Sequence, residues 1–207
     1  MVKLRANIIG KGAEAEIRKA RVLGKEVAVK DRIRKKYRIR EIDFALRKNR
    51  TRVEARLLME AKKAGVLCPI VYAVGEFEIA MEFVDGVLLR NARAGIAAKK
   101  LFDAGAALAR LHAAGMVHGD YTPANIILRR RDRRACVIDF GLGSFSRDEE
   151  DRAMDLLVMK KSLASKQLFR AFVNGYSRED RKEAARALGQ LNEVEKRGRY
   201  VVRAMMG

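Results

Sequence analysis

The chain is poor in cysteine and proline, with two residues of each among 207. Two cysteines are too few for a disulfide framework or a zinc site, and the apolar surroundings of Cys68 and Cys136 favour a reduced interior. No apolar run approaches the roughly 18 residues that a membrane-spanning helix needs, and the start of the chain shows no secretory signal. We therefore expect a soluble, cytoplasmic protein without a membrane partner.

Acidic residues are scarce relative to basic ones, 26 against 45, which gives a formal net charge of +19. The excess is uneven, because residues 18–52 hold 15 Lys and Arg against 4 Asp and Glu, a net charge of +11. Many charges and only two glutamines would also suit a thermophile protein, but thermophile surfaces usually mix both signs in ion-pair networks. The imbalance favours a polyanionic partner, of which RNA is the first to consider.

One stretch, residues 116–141 (MVHGDYTPANIILRRRDRRACVIDFG), carries the residues around which the chain is organised. Apolar segments at 126–128 and 136–138 are typical of strands, and the charged segment 129–134 between them is typical of a hairpin turn. If the strands pair, Asn125 before the first and Asp139 after the second lie at the same end of the hairpin. Oxygen ligands that converge in this way suit Mg²⁺.

The sequence on either side predicts two lobes of different composition. Strands are predicted at 2–9, 14–20, 25–30, 70–74 and 78–84, and apolar residues at three- and four-residue spacing predict a helix over 41–64. Helices are also predicted at 96–114, 149–165 and 178–191, the last with Ser177 as its N-cap. We therefore expect an α+β protein with an N-terminal lobe at 1–84, a C-terminal lobe at 85–192 and a basic tail at 193–207.

The order of polar residues along these elements suits phosphoryl transfer, which depends on charge neutralisation and positioning. Lys30 at the end of a strand can reach the α- and β-phosphates of ATP, and Glu54 in the long helix can hold it in place. The turn Gly10-Lys11-Gly12 can close over phosphates through backbone N–H groups, although Ala15 stands where a third glycine is usual. Each feature alone is as typical of an ordinary strand end, solvated helix residue or turn as it is of a nucleotide-binding site.

The polar residues of the central stretch have separate roles in this interpretation. Asp139 and Asn125 are the expected Mg²⁺ ligands. Asp120, near the metal but not bound to it, is the expected catalytic residue, which accepts a proton from a hydroxyl or orients a water molecule. His118 is expected to support this loop by hydrogen bonding.

The chain resembles the protein-kinase superfamily over nearly its whole length, because it carries that superfamily's motifs in the same order. These are a strand lysine, a helix glutamate, HGD with an asparagine five residues after the aspartate, and Asp139-Phe140-Gly141. Gly119 replaces the usual arginine before the catalytic aspartate, Thr122 replaces the usual lysine after it, and no Ala-Pro-Glu follows Gly141. The resemblance implies a minimal bilobal kinase fold with a reduced, mostly helical C-terminal lobe. The departures predict an atypical kinase that is not controlled through its activation loop.

Four segments of the chain are similar to the small kinase of the KEOPS complex. They are residues 35–43, residues 51–56, HGDYTPAN and DFGLGSFSRDEEDRAMDLLVMKKSLAS. That resemblance implies ATP and Mg²⁺ as cofactors, serine/threonine phosphorylation and ATP hydrolysis. It also implies partnership with the tRNA-threonylcarbamoylating catalytic subunit and other KEOPS subunits, which modify position 37 of tRNA. We expect tRNA to contact residues 18–52 and the basic tail. The implied ATP-binding residues are Ile9, Gly10, Lys11, Gly12, Ala13, Glu14, Ala15, Lys30, Glu54, Glu82, Phe83 and Val84.

Two alternatives remain open at this stage. RIO-type atypical kinases, which act in ribosome maturation, share the small lobes and the glycine before the catalytic aspartate. A nucleotide-binding scaffold without phosphotransfer would also suit the high charge and the small C-terminal lobe. The retention of Lys30, Asp120, Asn125 and Asp139 favours an enzyme over a scaffold.

Overall fold

The computed structural model describes residues 7–12, 14–22 and 24–206, with side chains described up to Arg197 except that of Ala94. The predicted start of the first strand, Ala13 of the proposed ATP-binding turn, and the side chains at the end of the predicted basic tail lie outside the described residues.

The N-terminal part of the described chain forms an antiparallel sheet and one long helix. The elements are β1 (Asn7–Lys11), β2 (Ala15–Val22), β3 (Lys25–Arg32), α1 (Arg40–Lys63), β4 (Val71–Val74) and β5 (Glu78–Glu82). The strands lie in the order β1-β2-β3-β5-β4. Each predicted strand overlaps an observed one, and α1 matches the predicted helix within one residue at each end, because alternating and helical apolar spacings were both clear in this part of the sequence.

The C-terminal part is mostly helical and contains two small sheets. Its elements are β6 (Gly86–Leu88), α2 (Ala94–Ala113), β7 (Met116–Val117), β8 (Ile126–Arg129), β9 (Ala135–Val137), β10 (Ser144–Phe145), α3 (Glu149–Ser162), α4 (Lys166–Glu179) and α5 (Arg181–Met206). β8 pairs with β9 as the predicted hairpin, β6 adds to its other edge, and β10 pairs with β7. Cys68 and Cys136 are buried free thiols. None of the described helices is long and apolar enough to cross a membrane.

The prediction for the last helices was wrong in two respects. Ser177 lies inside α4, a helix that the sequence did not predict, and α4 begins instead after Ser165, whose hydroxyl accepts a hydrogen bond from the Leu168 N–H. The next helix begins after Asp180, whose carboxylate accepts hydrogen bonds from two backbone N–H groups of its first turn. α5 also continues to Met206, so the backbone of the segment predicted as a tail is helical.

Helices α2 and α4 cross at two glycines. A Cβ atom on Gly105 would overlap the Phe172 carbonyl oxygen, and a Cβ atom on Gly175 would overlap the Phe102 carbonyl oxygen. The two helix backbones are therefore in direct contact at this crossing, which packs the helical core beneath the functional site.

We expect Gly175→Ala to destabilise the protein, because the added methyl group meets backbone atoms that cannot move independently. Overpacking of this kind costs about 2–3 kcal/mol, which for a chain of this length corresponds to a decrease in Tm of about 4–12 °C. Gly189→Ala on α5 is the matched control, since its Cβ would enter open space, and it should leave Tm unchanged or raise it slightly. Equal Tm values for the two variants would contradict the crossing geometry.

Candidate functional site

A buried ion-pair cluster joins the sheet to helix α1. The Lys30 Nζ lies 2.6 Å from Glu54 Oε1, and the Arg32 Nη2 lies 2.6 Å from Glu54 Oε2. Glu54 is 1% exposed, so both of its oxygens depend on these cations for compensation. The structure thus brings together the predicted pair Lys30 and Glu54, and adds Arg32, which the sequence interpretation missed.

Asp139 lies on the other side of Lys30, at a distance of 2.7 Å between Nζ and Oδ1. Its backbone is left-handed, with φ of 61°, and its carboxylate also accepts a hydrogen bond from the Gly141 N–H at 3.1 Å. Burial alone would raise the pKa of the Asp139 carboxyl, but the Lys30 ammonium and the Gly141 N–H outweigh burial and hold that pKa below its ordinary value. The carboxylate is therefore anionic at neutral pH.

Asp120 and Asn125 form the facing part of the site. The Asn125 Nδ2 donates hydrogen bonds to the backbone oxygen and to Oδ2 of Asp120, both at 2.8 Å. The β8–β9 hairpin brings Asn125 and Asp139 to the same end, as predicted, since the Ile138 N–H donates to the Asn125 carbonyl at 2.9 Å. The described structure therefore gathers Lys30, Asp120, Asn125 and Asp139 into one region.

This donor set fits a Mg²⁺ ion that is shared with a phosphate ligand. No cluster of three His, Cys, Asp or Glu side chains in the described residues could enclose a metal alone. Mg²⁺, however, is commonly held by one or two protein oxygens together with substrate phosphates. The ionised Asp139 could provide one such oxygen, and because the Asn125 amide nitrogen is the atom bonded to Asp120, its side-chain oxygen could provide another.

His118 supports the loop that carries Asp120, as expected. Its Nε2 lies 3.1 Å from the Ile138 carbonyl oxygen and donates to it, and its Nδ1 accepts the Asp120 N–H at 3.3 Å. Complete burial lowers the pKa of His118 below its ordinary value, more than the nearby Asp155 and the Ile138 carbonyl raise it. The imidazole is therefore neutral and has a positioning role.

Asp155 on α3 is a site residue that the sequence interpretation missed. It is 1% exposed, and its carboxylate accepts hydrogen bonds from the backbone N–H groups of His118 at 2.7 Å and Gly119 at 2.8 Å. The His112 Nε2 lies 3.2 Å from the same carboxylate. An aspartate among the buried apolar residues of an amphipathic helix was the one signal in the sequence that could have indicated this role.

Gly119 has a structural reason to replace the usual arginine. Its φ is 77°, a left-handed conformation that favours glycine, and a Cβ atom there would overlap the Leu142 carbonyl oxygen. The segment after Asp139-Phe140-Gly141 therefore packs directly on the loop that carries Asp120. This packing leaves no room for the side chain that regulated kinases use at this position.

The cleft between these groups has a volume of about 310 Å³. Gly10 and Lys11 pair with β2, so the turn over the cleft begins only at Gly12. The Gly12 N–H donates to the Ala15 carbonyl. Ile9, Gly10 and Lys11 thus belong to β1 and are not among the cleft-lining residues. The lining residues are Gly12, Glu14, Ala15, Ile17, Lys30, Arg32, Asp120, Asp139, Gly141 and Leu142.

The other predicted ATP-binding residues, Glu82, Phe83 and Val84, lie elsewhere. They line a separate cavity of about 260 Å³ together with Asp85 and residues 129–131 of the hairpin. Since this cavity is distinct from the cleft that holds Lys30, their contact with a nucleotide remains a prediction.

The fold and this arrangement of charged side chains define a chain of the protein-kinase class. The Rio2 kinase of Chaetomium thermophilum, solved as an ADP/Mg²⁺-phosphoaspartate complex, superposes with a TM-score of 0.63 and 18% identity over 92% of this chain and 71% of that one. At this identity the likeness shows the fold alone, and it confirms the predicted kinase-like architecture.

The RIO domain family matches residues 16–183. The chain is 38% identical over 201 residues to the "Probable serine/threonine-protein kinase BUD32 homolog" of Archaeoglobus fulgidus, covering 95% of this chain and 97% of that protein. It is 40% identical over 207 residues to the "Probable bifunctional tRNA threonylcarbamoyladenosine biosynthesis protein" of Methanobrevibacter smithii, covering 96% of this chain. The chain belongs to the RIO domain family and, within it, to the BUD32-type kinases. It spans 38% of the length of the bifunctional relative.

Proposed function

We propose that this chain is a Mg²⁺-ATP-dependent serine/threonine kinase and ATPase subunit of the KEOPS complex, and that it supports threonylcarbamoyladenosine formation at position 37 of tRNA. The observation that carries the proposal is the Lys30–Glu54 ion pair, whose lysine contacts Asp139 and lines one cleft with Asp120 and Asp139. The names of the relatives in Archaeoglobus fulgidus and Methanobrevibacter smithii support the kinase and the tRNA pathway respectively.

Each residue of the cleft has a distinct part in this proposal. Lys30, held by Glu54, neutralises inner phosphates of ATP, and Asp139 with Asn125 would hold Mg²⁺, which supplies charge neutralisation of the phosphates. In the structure Lys30 contacts Asp139 directly, so a phosphate on Lys30 and a cation on Asp139 would replace that contact. Asp120 accepts the proton of the attacking group, which is a hydroxyl in phosphorylation and a water molecule in hydrolysis.

The proposal is tested by ATP binding and turnover of the full chain, with its partner subunits and tRNA present. We expect turnover that requires Mg²⁺ and is abolished by EDTA. Asp139→Asn should weaken binding of Mg²⁺-ATP, whereas Asp103→Asn, at a surface pair with Lys100 on α2, should not. Absence of ATP binding by the unmodified chain would reject the enzyme in favour of a scaffold.

The tRNA part of the proposal depends on cations that are not engaged inside the protein. Arg38 lies in the segment 18–52 that we expect to contact tRNA, but its guanidinium lies 3.0 Å from Glu14 and is partly buried. Arg34, Lys36 and Arg40 are exposed and make no ion pair within the described part of the chain. These three residues, the basic cluster, are the better candidates for contacts with RNA phosphates.

We expect replacement of the basic cluster by alanine to weaken tRNA binding and to reduce the slope of log affinity against log salt by about 2–3, since each phosphate contact releases close to one counterion. The matched control replaces Lys63, Arg110 and Arg186, three cations outside the segments expected to contact tRNA, each of which pairs with an acidic side chain. The control has the same change in net charge, so an equal effect of both triple variants would show that the binding is not local to the cluster.

A further inference from the structure

Arg32 is a buried cation that points into the cleft beside Lys30. It lies two residues after Lys30 on β3, so the two side chains project from the same face of the sheet. Arg32 is 4% exposed and is among the cleft-lining residues. An arginine is seldom buried to this degree without a full set of partners.

The guanidinium of Arg32 has donors left over. Its Nη2 is bonded to Glu54, but its Nη1 lies 3.9 Å from the Glu14 carboxylate, too far for a hydrogen bond. Its Nε is buried and has no hydrogen-bond partner among the described residues. Glu14 pairs instead with Arg38 and Arg50, so it accepts no hydrogen bond from the remaining donors of Arg32. Unpaired buried donors are uncommon, and those of Arg32 belong to a side chain that lines the cleft.

The position of Arg32 in the sheet indicates where an acceptor for these donors would lie. Arg32 pairs with Ala15 at the end of the turn that begins at Gly12, while Lys30 pairs with Ile17, two residues further into β2. A Cβ atom on Gly141 would lie 3.2 Å from the Lys30 Nζ and 3.3 Å from the Arg32 Nη2. The two cations therefore stand side by side next to Asp139, with Arg32 nearer the turn.

The sequence lacks a cation that the opposite side of the cleft usually provides. Thr122 replaces the lysine that usually follows the catalytic aspartate and contacts the terminal phosphate. Among the described residues lining the cleft, Lys30 and Arg32 are the two cations. A nucleoside triphosphate carries more negative charge than one lysine compensates, and a guanidinium offers a fork of donors that suits phosphate oxygens.

We propose that Arg32 binds the terminal phosphate of the nucleoside triphosphate and so replaces, from the N-terminal lobe, the charge that the loop around Asp120 lacks. This inference rests on the proposed ATP-binding function. Arg32 holds Glu54 through Nη2 and the phosphate through Nη1, and Lys30 contacts the inner phosphates.

The test compares Mg²⁺-ATP with Mg²⁺-ADP on Arg32→Met by calorimetric titration of the full chain. Loss of charge-assisted hydrogen bonds to one phosphate should weaken ATP binding about 10- to 100-fold, and ADP binding should change by less than about 3-fold. The ratio of the two affinities is measured on one sample, so it does not depend on the fraction of the variant that is folded. Arg32→Lys should recover part of the preference for ATP, because it restores the charge but not the fork.

Arg18→Met is the matched control. Arg18 lies on β2, pairs with Asp31 at 2.5 Å and also has a buried Nε without a partner among the described residues, but it does not line the cleft. This variant should leave the ratio of ATP to ADP affinity unchanged. Equal weakening of ATP and ADP by Arg32→Met would overturn the inference and reduce Arg32 to a support for Glu54. If the unmodified chain binds neither nucleotide, the proposed function itself fails, and the inference fails with it.

Discussion

Asp120→Asn is expected to lower Mg²⁺-ATP turnover by about 10²- to 10⁴-fold, the usual contribution of a positioned acid or base. The asparagine has the same shape and the same loop position, but its amide cannot accept a proton from the attacking hydroxyl or water. The Asp120 backbone carbonyl still receives the hydrogen bond from the Asn125 side chain, so the loop should keep its conformation. Affinity for Mg²⁺-ATP should therefore change little while the rate falls.

The measurement is turnover under saturating ATP, with titration of the nucleotide on the same preparations. Asp132→Asn is a suitable control, because Asp132 lies in the β8–β9 turn, where it pairs with Arg129, and it does not line the cleft. Its turnover should remain within about 2-fold of the unmodified chain. Unchanged turnover of Asp120→Asn would show that Asp120 does not take part in the chemistry.

Local sequence patterns predicted the parts of the site that depend on neighbouring residues. The hairpin that joins Asn125 to Asp139 follows from two short apolar runs around a charged turn, and the pairing of β8 with β9 has that register. The pairing of Lys30 with Glu54 was also predicted, although 24 residues separate them. That prediction came from their order along the chain, which matches a known family.

The residues that were missed act through tertiary contacts. A charged residue in a strand is usually solvated, so Arg32 could be recognised as buried only once β3 lay between β2 and β5. α4 was missed because a capping pattern at Ser177 suggested a helix start there, whereas the helix begins after Ser165. Its crossing with α2 stabilises the helix through Ser177 to Glu179. Asp155 is separated by 37 residues from His118, whose N–H it accepts.

Asp155 is the residue through which the helical lobe fixes the geometry of the loop that carries Asp120. Its two carboxylate oxygens accept the N–H groups of His118 and Gly119, and Oδ2 also receives His112. The left-handed conformation of Gly119 turns these N–H groups toward α3. Because the carboxylate is buried, water cannot replace it as an acceptor.

We expect Asp155→Ala to reduce the free energy of unfolding by about 3–5 kcal/mol, since it leaves buried donors unpaired, and to lower Tm by about 6–20 °C. Asp155→Asn should cost less, because one side-chain oxygen still accepts a hydrogen bond while the amide nitrogen cannot. The control is Asp151→Ala, one turn earlier on α3, where among the described residues an exposed carboxylate accepts only the Ser146 hydroxyl, and its Tm should change little. Below its melting temperature, Asp155→Ala should still bind Mg²⁺-ATP through Lys30, which lies on the other lobe, but it should turn ATP over slowly. A variant with a lower Tm and unchanged turnover would show that the Asp120 loop keeps its conformation without this carboxylate.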